Sequence, residues 1–78
     1  MTEYCIIITW DDEAGVWVAV NDEIPIALES GSLDALIIQL KYTVPEMLKE
    51  NGKLPNSGEI QLRFSAERIE RLDCNRYL

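Results

Sequence analysis

The stretch that decides the fold is YCIIITWD at residues 4–11, followed after a short turn by VWVAV at residues 16–20. Both runs consist mainly of β-branched and aromatic side chains, which favour strands. Asp11–Gly15 between them is acidic and ends in glycine, a composition typical of turns. We therefore predict a hairpin whose first strand is apolar on both faces.

A third strand and a helix are predicted to follow. Ile24–Glu29 suits a short strand, with Pro25 at a sheet edge or strand start because proline donates no ladder hydrogen bond. Ser32 is a predicted helix cap, and Asn51-Gly52 a helix end. Between them one apolar stripe recurs at helical spacing. It consists of Leu33, Leu36, Ile37, Leu40, Val44, Met47 and Leu48.

Proline inside this stripe leaves the middle of the helix open to two interpretations. Pro45 is expected to kink the helix near residues 41–42, because its missing N–H frees a carbonyl there. Alternatively, Thr43 with Glu46 would cap a fresh helical start.

The last part of the chain predicts a fourth strand with one wet face, since Glu59–Phe64 alternates polar and apolar residues. Ser65–Leu72 fits either a short helix or an extension of that strand through a bulge at Ser65-Ala66, and we favour the extension. Arg63, Arg68 and Arg71 would then line one strand face.

The order β-β-β-α-β predicts one α+β domain over residues 1–72, with a loose tail at 73–78. A right-handed crossover places strand four parallel to strand one, in a four-stranded mixed sheet of order 3-2-1-4 with the kinked helix on one face. A single helix leaves half of so apolar a sheet in water. We therefore expect a homo-oligomer, a homodimer or larger. Trp10 and Trp17 are expected to face each other across the hairpin, in the core or at the dimer interface.

Charge is distributed very unevenly along the chain. The first forty residues hold eight acids and no base, and the remainder holds seven bases and six acids, so the halves carry −8 and +1 and the whole −7. Such a field repels phosphates and attracts cationic partners. We predict a partner-binding surface and no direct nucleic-acid binding. Its candidate residues are Asp11, Asp12, Glu13, Asp22 and Glu23.

Several classes of function are disfavoured by composition. Histidine is absent, which removes the commonest general base and most zinc sites. The consecutive carboxylates of the turns diverge, whereas two-metal nucleases need acids that converge from different elements. We expect no catalytic site, metal or cofactor. The start of the chain has no basic leader and its apolar runs are short, so we expect a cytoplasmic protein without membrane contact. Its two cysteines should be free thiols, with Cys5 buried.

The hairpin and helix start resemble a known family. ITWDDEAGVWVA at residues 8–19, DEIP at 22–25 and ESGSLDAL at 29–36 are similar to HicB-like antitoxins, above all to their short stand-alone branch. VPEMLKENG at 44–52 and the Ala66-Glu67-Arg68 segment are also similar, so the resemblance covers residues 4–72. It implies a partial ribonuclease-H-like β-β-β-α-β fold. It also implies a toxin–antitoxin function, in which the domain binds and masks a small basic HicA-type ribonuclease with a double-stranded-RNA-binding-like fold.

Two departures from the family pattern bear on function. Many members have Pro-Gly followed by Cys or Leu in strand three, where this chain has Pro25-Ile26-Ala27. Longer relatives append a DNA-binding module, for which the 78 residues leave no room, so operon self-regulation is not expected. The alternative is a self-associating regulatory or structural domain with no toxin partner.

Overall fold

The structure, a computed structural model, describes residues 2–77 and confirms the predicted α+β architecture. The strands are β1 (Thr2–Asp11), β2 (Val16–Val20), β3 (Ala27–Ser30) and β4 (Ile60–Glu67), the helix is α1 (Leu33–Glu50), and a 3₁₀ turn spans Cys74–Tyr77. The sheet order is β3-β2-β1-β4. β1 pairs antiparallel with β2 and parallel with β4, as predicted.

Helix α1 has the predicted ends. The Ser32 Oγ accepts a hydrogen bond from the Ala35 N–H, which satisfies one of the free donors of the first turn. At the other end Gly52 adopts a φ of +67°, and the Gly52 and Lys53 N–H groups donate to carbonyls of the last turn. The helix is continuous through Pro45, so the alternative start at Thr43 is wrong. The bend expected at Pro45 stays a prediction.

The core lies between α1 and one side of the sheet, here called the helix face. Tyr4, Ile6 and Ile8 of β1 alternate with exposed residues, and Ala19 of β2 joins them. Four helix residues at the predicted spacing complete the contact, and all are at most 1% exposed: Leu36, Leu40, Val44 and Leu48. The apolar stripe read from the sequence is therefore the stripe that packs on the sheet.

The third strand is shorter than predicted. It begins at Ala27, and Ile24–Ile26 lies outside the sheet although Ile24 and Ile26 are both buried. The reason is the side chain of Asn21, whose Oδ1 accepts from the Glu23 and Ile24 N–H groups at 2.7 and 2.8 Å. The turn therefore uses the donors that a strand at these residues would need.

The fourth strand extends past Phe64 as favoured, but only to Glu67 and without a bulge. The register runs unbroken from Thr2 opposite Ile60 to Thr9 opposite Glu67. β1 has only two residues left before its turn, so a strand to Leu72 would have no partner. The expectation that three arginines share one strand face is wrong, because Arg68 and Arg71 lie beyond the strand.

The side of the sheet away from α1, here called the open face, is partly apolar. Ile7 and Val20 are adjacent partners there, 46% and 42% exposed, and Cys5 is also exposed. The prediction of a buried Cys5 is therefore wrong, because its side chain points away from the helix. Both cysteines are free. Within residues 2–77 no helix is both long and apolar enough to span a membrane.

Candidate functional site: the hairpin end

The hairpin turn presents its three acids in different roles. One oxygen of Asp11 accepts from the Glu13 and Ala14 N–H groups at 3.1 and 3.2 Å, and the Asp11 carbonyl accepts from Gly15 N–H at 2.8 Å. Gly15 has a φ of +67°, which favours glycine over any residue with a Cβ. Asp11 therefore shapes the turn, which holds Asp12 and Glu13 out into solvent.

Trp10 and Trp17 pack against each other beside this turn, as predicted. They are direct partners in the β1–β2 register, with ring centroids 5.2 Å apart in an edge-to-face arrangement. Both rings are half-buried on the helix face, and the Trp10 Nε1–H donates to Asp12 at 3.1 Å. The indole pair thus fixes one side of the acidic turn.

A guanidinium from the chain itself is bound on this aromatic pair. Arg68, just after β4, places its Cζ 3.7 Å from the Trp10 centroid and 5.9 Å from that of Trp17. Its Nε also forms an ion pair with Glu70 at 2.6 Å. The site therefore combines a cation–π platform with carboxylates, and its geometry suits a planar cation.

The turn and the segment after β4 together enclose a shallow groove. Its volume is about 740 Å³ and its lining combines apolar surface with acids. The lining residues are Thr9, Trp10, Asp12, Glu67, Ile69, Glu70 and Arg71. At this end of the sheet the carboxylates of the turn, of the end of β4 and of the segment after it outnumber the two arginines, Arg68 and Arg71. We call the turn, the groove and the Trp pair together the acidic end.

Asp22 and Glu23 do not belong to the acidic end. They lie in the turn at the other end of β2, and five strand residues separate the two turns by about 17 Å. Both are exposed. The five predicted partner-binding acids therefore form two separate groups instead of one surface.

Sequence reasoning missed Glu67, Arg68 and Glu70 as parts of the site. They are distant from the hairpin in the chain and reach it because β4 runs parallel to β1, which places both carboxyl ends together. The predicted strand order contained this information. Ile8 pairs with Ala66, so the position opposite Trp10, two residues further along both segments, is Arg68.

No group of three or more Cys, Asp or Glu residues within 2–77 is arranged to hold a metal ion. The carboxylates of Asp12 and Glu13 are exposed on the hairpin turn, and those of Glu67 and Glu70 come from the end of β4 and the segment after it. What this arrangement can do chemically is attract and orient a cationic group on the protein surface.

Comparison with known proteins places the chain in a family. The family model described as Domain of unknown function (DUF1902) matches residues 3–74. The chain belongs to this family. The match takes in α1 and the sheet except for Thr2, the first residue of β1, and also the segment after β4 that supplies Arg68 and Glu70 to the acidic end of this DUF1902 domain.

A solved structure shares the fold. The crystal structure of a hypothetical protein from the extremely thermophilic bacterium Thermus thermophilus is 38% identical in sequence, with a TM-score of 0.76. The alignment covers 90% of this chain and 99% of that one. No curated protein matches the DUF1902 domain described here.

Proposed function

We propose that this protein is an interaction module that binds and masks a small basic ribonuclease, in the manner of the HicB-like antitoxins that its sequence resembles. The observation that carries the proposal is the acidic end. Asp12 and Glu13 are exposed on a hydrogen-bonded turn beside an aromatic pair that already binds a guanidinium. A surface of this kind attracts the basic face with which such a ribonuclease would bind RNA.

The mode of action follows from charge and shape. An RNA-binding surface uses lysine and arginine to neutralise phosphates. An acidic protein surface that covers those cations competes with RNA for the same groups, without any covalent step. We accordingly propose a non-enzymatic, cytoplasmic protein that contacts neither nucleic acid nor membrane.

The experiment that tests the proposal uses a HicA-type ribonuclease encoded beside the gene, recognisable as a short basic protein with a lone histidine. The DUF1902 protein is titrated into this ribonuclease, and RNA cleavage by the ribonuclease should be abolished once the two proteins are present in stoichiometric amounts. Ribonuclease A, a basic enzyme of unrelated fold, is the control and should remain active. A HicA-type enzyme that stayed fully active at a large excess of this protein would contradict the proposed masking function.

A second candidate function rests on a different observation. Ile7 and Val20 leave apolar surface in water on the open face, and further apolar side chains are exposed after β4. These features favour a self-associating domain, and we propose a homodimer or larger assembly whether or not a toxin partner exists.

We predict no tight divalent metal site, because the exposed carboxylates follow one another along a turn and diverge. Titration with magnesium or manganese, followed by calorimetry, should show no saturable binding at low micromolar concentration. Incubation with single-stranded and double-stranded RNA should give no cleavage. Saturable magnesium binding that disappears in the Asp12→Asn variant would contradict this prediction.

A further inference from the structure

The outer edge of β4 is an unprotected strand edge. β4 lies at the end of the sheet, is eight residues long, and contains neither proline, glycine nor a bulge. The opposite edge strand, β3, has only four residues and is preceded closely by Pro25. Long, regular edges pair readily with another strand, and proteins usually shorten or interrupt them. Here only one of the two edges is protected.

An apolar groove lies along the same edge. Helix α1 lies closest to β2 and β3, and the helix-face residues Ile60, Leu62 and Phe64 of β4 pack against the core but are only partly buried. The groove between α1 and β4 has a volume of about 500 Å³ and is lined mainly by Ile37, Pro45, Ile60, Leu62 and Phe64. A strand added beside β4 would close it.

The segment after β4 supplies a third feature. Ile69 and Leu72 are 76% and 75% exposed. The molecule is elongated, 60 Å long but only about 20 Å across. Leu54, in the loop before β4, is a further exposed apolar residue at 38%. Within one chain these two regions lie at opposite ends of β4, so they cannot cover each other.

We propose that a second copy of this chain covers all three features, by pairing its β4 antiparallel with this one across a twofold axis at Phe64. The two sheets would join into one of eight strands, with both helices on the same side and the two grooves merged between them. The proposal names a surface for the self-association proposed above and rests on that function. It covers the exposed side chains after β4 and leaves Ile7 and Val20 of the open face uncovered.

The register follows from length and charge. Directly opposed residues of antiparallel strands point to the same face, so the axis must pass through a residue. Only axes at Arg63 or Phe64 pair seven of the eight strand residues. An axis at Arg63 would oppose Arg63 to itself and Glu59 to Glu67, and like charges directly opposite are destabilising.

The Phe64 register is self-complementary. It sets the two Phe64 rings together, Leu62 opposite the partner's Ala66, and Gln61 opposite the partner's Glu67. Beyond the strand, this register places Ile69 and Leu72 beside the partner's loop before β4, which contains the partner's Leu54. A stable dimer buries about 800 Å² per partner. The flanking apolar contacts would add to the area that the strand ladder buries.

The first test compares two matched charge variants by light scattering and sedimentation equilibrium. The parent should have twice the 8.9 kDa monomer mass at micromolar concentration. Ala66→Lys, at an exposed residue of β4, should weaken the dimer at least about tenfold, since an edge lysine opposes strand pairing. Val20→Lys, on the open face, should leave the dimer unchanged.

The second test determines the register with cysteines in a Cys5→Ser, Cys74→Ser background. Arg63→Cys and Ser65→Cys are both exposed substitutions, and the Phe64 axis places residue 63 opposite the partner's residue 65. Opposed Cα atoms lie about 4.5–5.5 Å apart, within disulfide range. Mixing the two variants under oxidation should give a disulfide-linked heterodimer, whereas neither variant alone should crosslink.

A parent protein that is monomeric at tens of micromolar would overturn both self-association and this inference. A dimer that Val20→Lys dissociates and Ala66→Lys does not would keep self-association but overturn the β4 pairing. Crosslinking of Arg63→Cys with itself would also overturn the proposed pairing, because it requires a different axis.

Discussion

Leu40→Ala should lower the free energy of unfolding by about 2–5 kcal/mol, the cost of leaving a cavity where a buried leucine stood. Leu40 has no exposed surface and lies in the centre of the helix stripe that packs on β1 and β2. At roughly 0.05–0.15 kcal/mol per residue, a domain of this size has little stability in reserve. The variant is therefore expected to populate the unfolded state measurably.

The matched control is Ile38→Ala, two residues earlier on the same helix. Ile38 is 56% exposed, so its truncation should change stability by no more than about 0.5 kcal/mol. Urea unfolding at one fixed protein concentration measures both variants, because self-association would otherwise shift the midpoint. A loss below about 1 kcal/mol for Leu40→Ala would contradict the described packing of α1 on the sheet.

The Asp12→Lys, Glu13→Lys double variant should associate with its basic partner at least roughly tenfold more slowly than the parent at low salt. Both side chains are exposed on the rim of the acidic end, and reversing rim charges acts mainly on the rate of association. Asp11 is left intact because its carboxylate accepts from two backbone N–H groups of the turn, whereas within residues 2–77 that of Asp12 accepts only from the exposed Trp10 Nε1–H. Stopped-flow mixing with a catalytically inactive HicA-type ribonuclease measures the rate.

The control for charge alone is Asp22→Lys, Glu23→Lys. It makes the same change in net charge, from −7 to −3, but at the other end of β2. Its association should be slowed much less, and about 0.5 M salt should remove most of the difference between all three proteins. Equal rates for the parent and the Asp12→Lys, Glu13→Lys variant at low salt would show that the acidic end is not the interface.

Most of the fold could be predicted from local chemistry. The caps at Ser32 and Asn51-Gly52 and the apolar stripe of α1 are set by neighbouring residues, and the observed strand order is the one expected from the right-handed rule for crossovers between parallel strands. The errors lie where a side chain or a partner strand determines where a strand begins or ends. Asn21 takes the donors at Glu23 and Ile24, and β4 ends where β1 has no more residues to pair.

The candidate site was only half visible in the sequence. The turn acids and the Trp10–Trp17 pair are close together in the chain, so their proximity follows from the hairpin alone. Arg68 and Glu70 reach the same place through pairing between residues far apart, which residue types alone do not reveal. The converse error concerns Asp22 and Glu23, which are near in sequence but separated by the length of β2.

The parallel pairing of β1 with β4 has a consequence for how the protein acquires its structure. Every residue of β1 in that ladder meets a partner 58 positions later in a chain of 78, so the first strand made is completed by the last. During synthesis the β1–β2 hairpin can form early, but one side of β1 stays unpaired until β4 has been made. Such long-range pairing slows folding and prolongs the time for which a sticky strand is exposed to aggregation.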